Sequence, residues 1–164
     1  MASPAVMEKN RDVRFHPQAR FKVKCSGDRS IEELLVFGRF DLSCGWMTSR
    51  RFPAKEEACE AEIAYLADFY EDPTHSQVEK RALYSGYQIP KNDQVHEAVI
   101  RFGIMYPKEQ MKKPIVFVHE PVLGPYELSY VFTLFGKTGR RFLTLHPIPD
   151  RWLSECRFAA LDFK

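Results

Sequence analysis

The chain has 164 residues, 45% of them hydrophobic and 28% charged, with 24 Lys and Arg against 22 Asp and Glu for a net charge of +2. That composition is too apolar for a disordered segment and suits one globular domain with a sizeable core. No apolar run reaches the roughly 18 residues that a membrane-spanning helix needs.

Residues 1–12 lack the apolar centre of a signal peptide and read as a flexible tail, with a single domain over 13–164. Cys25, Cys44, Cys59 and Cys156 lie far apart and include no Cys-x-x-Cys pair. They read as reduced, buried small hydrophobes in a cytoplasmic protein, with no metal and no cofactor.

Arg20–Cys25 alternates charged with apolar residues, the period of a half-buried strand. Residues 31–44 again suggest strand, broken near Gly38, and Trp46–Phe52 a further strand after a turn at Gly45. Pro53, Glu56 and Glu57 then resemble a helix start, and Cys59, Ile63, Leu66 and Tyr70 recur as one helical stripe. The spacing therefore predicts the main helix over about 55–70, ended by Asp72-Pro73. Ser76-Gln77-Val78-Glu79 has capping-box spacing, so a short helix is expected there, closed by Gly86.

Val95, Val99 and Phe102 would fit a helix, yet Ala98, Ile100, Phe102, Ile104 and Tyr106 alternate, which favours a strand after Ala98. Ile115–Val118 reads as a buried strand. Glu127–Phe135 and Arg140–His146 read as a hairpin joined by Gly136-Lys137-Thr138-Gly139. Asp150 would cap a last helix carrying Trp152, Cys156, Ala159 and Phe163. The fold class expected is α+β: a mostly antiparallel sheet of six or seven strands packed with two or three helices.

Seven Phe residues directly follow an Arg (Phe15, Phe21, Phe40, Phe52, Phe102, Phe142 and Phe158), where 13 Arg and 13 Phe in 164 residues would give about one by chance. On strands such pairs send Phe inward and Arg outward. Residues 55–72 hold seven acids against Lys55, a net of −6, which leaves +8 on the remainder. A cationic sheet face of guanidinium groups would suit carboxylate or phosphate recognition through bidentate donation. The same arginines could equally cover apolar surface or pair internally with the acidic segment.

Catalytic motifs fail on spacing. Gly136-Lys137-Thr138 lacks the earlier glycine of a phosphate loop, and neither His96-Glu97 nor His119-Glu120 has a second His four residues on. A Cys44 thiol approached by His119 or His146 is the least poor enzymatic reading, an enzyme built from distant residues. The favoured expectation is a non-enzymatic accessory or regulatory protein that binds a macromolecular partner, most simply a protein with an anionic surface. The binding residues expected are Arg39, Arg50, Arg51, Arg101, Arg140 and Arg141, with Trp46 and Tyr126 as aromatic anchors. Nucleic acid is the alternative partner, with the same arginines on phosphates. No membrane role is expected.

Overall fold

A computed structural model describes residues 19–42, 45–91 and 94–164. The residues expected to form the flexible tail, together with Cys44, lie outside that set. Among the described residues thirteen elements follow one another. They are β1 (Arg20–Cys25), α1 (Ile31–Gly38), β2 (Asp41–Leu42), β3 (Cys59–Tyr65), α2 (His75–Tyr84), α3 (Val95–Met105), α4 (Glu109–Lys112), β4 (Ile115–Val118), β5 (Val122–Leu123), a 3-10 turn (Pro125–Glu127), β6 (Ser129–Lys137), β7 (Arg140–Pro147) and β8 (Arg157–Phe163).

One mostly antiparallel sheet runs in the order β1-β3-β8-β4-β6-β7-β2, with β5 added on β6. Among the described residues only β4 with β8, and β2 with β7, pair in parallel. Alternation along the strands feeds two cores. Ile63, Phe117, Phe132, Leu134 and Leu161 point to one side, where α1 and α3 pack. Val116, Val118, Val131, Phe158 and Ala160 point to the other, under α2 and the 148–156 segment. The α+β class and the strand-rich sheet agree with the sequence reading; several element assignments do not.

The first is α1, expected as strand. Ile31, Leu34, Leu35 and Gly38 are buried at helical spacing, and the Ser30 side chain accepts the Glu33 N–H as N-cap. The strand-like residues Val36 and Phe37 are the exposed ones, at 79% and 67%. Gly38 is required by close approach: a Cβ there would meet the Phe40 ring at 2.5 Å, as would one at Gly103 on α3. Trp46–Phe52 likewise forms turns rather than strand.

The second correction is the expected main helix, which is the strand β3. Ala61, Ile63 and Tyr65 face the larger core, while Glu60 and Glu62 stand opposite Lys24 and Lys22 of β1. Cross-strand opposite charges stabilise that register. The acidic segment is thus partly neutralised inside the sheet by the basic edge strand, and Arg20 also pairs with Glu62 at 3.6 Å. Ile63 and Leu66 are buried as expected, but Tyr70 is fully exposed.

The third is α3, where strand was expected after Ala98. Every residue from Val95 to Ile100 is buried, so no polar stripe marks its period. The fourth is the last helix, which is irregular through Cys156 and then becomes β8. Phe158, Ala159, Ala160 and Leu161 are buried on both faces, as a central strand must be. The short helix near 76 does form, starting at His75 with a capping box between Thr74 and Gln77 and with Gly86 at φ 92° beyond its end. The hairpin is confirmed, its tight turn at Thr138 and Gly139 having φ of 50° and 76°.

Candidate functional site

The expected arginines do not share a sheet face. Arg101 lies on α3 and points into the protein, donating to Glu97 Oε2 at 3.2 Å and to Ser26 Oγ at 2.8 Å. Glu97, nearly fully buried, also accepts Ser26 N–H at 2.6 Å and Gly27 N–H at 3.0 Å. Together they clamp the turn after β1 onto α3, a structural task.

Arg140 and Arg141 open β7, where Arg140 grips Asp41 through two bonds of 3.0 and 2.6 Å. Arg141 lies over the Phe40 ring at 4.7 Å and donates to the Gly103 carbonyl at 2.6 Å and to the Gly38 carbonyl. It thereby satisfies carbonyls near the C-terminal ends of α1 and α3, where a cation suits the helix dipoles. Arg39 is the exposed residue after α1, with φ 54°.

The other candidates gather at the far end of the β6–β7 hairpin. Trp46 is half-buried, 5.0 Å from Tyr130 and 6.4 Å from Phe52 between ring centroids. The Arg51 guanidinium sits 4.9 Å from the Trp46 ring and donates to the Leu123 carbonyl. This fixes the 45–52 loop against β5. Arg50, next to it, is exposed.

Beyond β5 the chain makes a strained turn. Tyr126 and Glu127 both adopt positive φ, 59° and 58°, which costs a non-glycine residue on the order of 1 kcal/mol or more. The turn is over-determined by Tyr130 Oη donating to the Pro125 carbonyl at 2.9 Å and by Gly124 N–H donating to the Leu128 carbonyl at 3.0 Å. Its product is a Tyr126 side chain 91% exposed, flanked by exposed Leu123 and Leu128. Beside it opens a cavity of about 520 Å³ lined by Arg51, Phe52, Pro53, Ala54, Lys55, His96, Pro121, Val122 and Leu123.

Sequence reasoning named Arg50, Arg51, Trp46 and Tyr126 but missed Leu123, Lys55 and His96. The bracketing prolines in Pro121-Val122-Leu123-Gly124-Pro125 were the signal available for the first.

His119 is bound up in the fold's own hydrogen bonding. It is wholly buried, its Nε2 accepting Phe132 N–H at 2.9 Å and its Nδ1 donating to the Glu120 carbonyl at 2.9 Å. Burial, the dominant cause, pushes it down to about 4, so the ring stays neutral and fills a gap in backbone pairing. His146 packs on Trp152 at 5.3 Å. Among the described residues no three His, Cys, Asp or Glu side chains are grouped to hold a metal ion. No helix is long and apolar enough to cross a membrane among those residues.

Comparison of the chain with protein-family models, with curated proteins and with solved structures finds no match.

Proposed function

We propose that this protein is a non-enzymatic accessory protein that grips a macromolecular partner with the surface made by the 45–55 loop and the 121–128 turn. The carrying observation is the strained turn that holds Tyr126 almost fully in solvent beside Leu123 and the Arg51–Trp46 stack. Strain maintained by dedicated hydrogen bonds, to display an aromatic side chain to water, is hard to account for by folding alone. Exposed aromatic and aliphatic anchors ringed by Arg50, Arg51 and Lys55 fit a partner protein whose contact segment is acidic with apolar side chains.

The test takes the partner recovered by affinity capture with nuclease treatment as control, then measures its affinity for defined variants. Tyr126→Ala and Arg50→Glu should each weaken binding several-fold, with an added loss as salt rises. Arg140→Glu, at the opposite end of the hairpin, should not. Equal affinity across all three variants would refute the assignment. Loss of the partner on nuclease treatment would move the reading to single-stranded nucleic acid, with Tyr126 as a stacking platform.

A further inference from the structure

The β1–β3 pair ends on two thiols. Cys25 closes β1, Cys59 opens β3, and the register sets them directly opposite each other. Both are free cysteines, and their side chains are within hydrogen-bonding reach. At the other end of the pair, Tyr65 N–H donates to the Ala19 carbonyl at 3.0 Å. Antiparallel positions alternate between hydrogen-bonded and non-hydrogen-bonded pairs, and Cys25 lies six positions beyond Ala19. Cys25 and Cys59 therefore form a hydrogen-bonded pair, whose Cα atoms stand about 5.5 Å apart. A disulfide spans about 4.4–6.8 Å between Cα atoms, so this pair can be bridged. Cβ atoms across strands are about 4.5–5.5 Å apart, against about 3.5–4.5 Å in a disulfide. Closing the bond must draw the strands together, which leaves it readily reducible.

The two sulfurs are not equivalent. Cys25 is 3% exposed within the larger core, whereas Cys59 is only partly buried at its margin. Burial raises both thiols, and the hydrogen bond between them raises Cys25 further while favouring the Cys59 thiolate. Attack on an oxidant belongs to the thiolate that solvent can reach, which is Cys59. The chain beyond the pair is held in place. Glu97 accepts the Ser26 and Gly27 N–H groups, and Glu56 N–H donates to the Gly27 carbonyl at 2.7 Å.

We infer that Cys25 and Cys59 form a site of reversible thiol oxidation, closed by exchange with a small-molecule disulfide such as oxidised glutathione. Cys59, its proton given to water, attacks one sulfur of that disulfide, whose S–S bond breaks. The first glutathione leaves as a thiolate and takes up a proton. The Cys25 sulfur then attacks the Cys59 sulfur and breaks the mixed disulfide, and the Cys25 proton leaves with the second glutathione. Two electrons pass from the protein to the oxidant, which departs as two thiols. The new bond pins the edge strand β1 and closes a ring around residues 26–58, which include α1, β2 and the 45–52 loop. Because burial keeps thiolate scarce, the pair follows a sustained redox poise rather than a brief pulse of oxidant.

The test equilibrates the full chain in glutathione buffers of graded ratio, quenches with acid and maps linked peptides by mass spectrometry. The expected product is a Cys25–Cys59 bond, lighter than the reduced chain by two hydrogens and reopened by excess reduced glutathione. Cys25→Ala should instead retain a glutathione on Cys59, whereas Cys59→Ala should leave Cys25 reduced. Oxidation of the unaltered protein should slow β1 amide exchange several-fold, a readout that needs no variant. In urea the preference for this pairing should vanish, since the strand register creates it. A native chain that stays reduced in oxidised glutathione alone, or that links Cys44 or Cys156 instead, would overturn the inference.

Discussion

Cys25 and Cys59 stand directly opposite one another in the β1–β3 pair, and their side chains share a hydrogen bond. Burial first, then the neighbouring Cys59 thiol, pushes the Cys25 thiol well above the ordinary range. Alkylation needs the thiolate. Iodoacetamide should therefore label Cys25 in the folded protein roughly tenfold or more slowly than a free cysteine, and at the free rate once urea unfolds the chain. Peptide mass spectrometry reads both rates. Fast labelling of the native protein would mean that the β1 edge opens.

Glu97 and Arg101 carry a stability prediction. Glu97→Ala leaves two backbone N–H groups and a partly buried guanidinium without their acceptor. Breaking such a pair from one side should cost about 3–5 kcal/mol, measured by urea unfolding. Arg101→Glu should unfold the protein rather than selectively weaken a partner, which separates it from Arg50.

His119 sets a pH dependence. Its ring is held at about 4 in the fold, against roughly 6.5 in the unfolded chain, so the unfolded state takes up the proton first. Stability is complete above about pH 6.5, falls as pH drops toward 4 by about 3 kcal/mol from this residue, and takes no further slope from it below that. Burial also lowers the buried His75, adding in the same direction. Chemical unfolding across this window should show a shallower slope in His119→Gln. An unchanged slope would assign the effect to other groups.

The strand identity of β3 separates three positions that a helical stripe would treat alike. Leu66→Ala and Ile63→Ala each open a buried site and should cost about 2–5 kcal/mol. Tyr70→Ala, at a fully exposed position, should fall within about 0.5 kcal/mol of zero. A large loss at Tyr70 would contradict its placement.

Several elements are legible in the sequence from local signals. β1 alternates because its lysines meet solvent, and the β6–β7 hairpin announces itself by a turn that needs Gly139 at positive φ. β8 and α3 were misread because burial on all sides erases the contrast on which periodicity depends. In β3 the small residues Ala61 and Ala64 hid the two-residue period, leaving Cys59, Ile63 and Leu66 to mimic a helix.

The amino-acid sequence by itself determined the α+β class, the hairpin and the buried β4 strand. These rest on local stereochemistry and on apolar patterning. Only the tertiary structure decided which arginines are occupied: Glu97 lies four residues before Arg101, but Asp41 is 99 residues from Arg140 and the Gly38 carbonyl 103 from Arg141. A charged side chain's availability depends on what the fold brings within about 4 Å of it. That distance is set by chain crossings, and no local pattern encodes it.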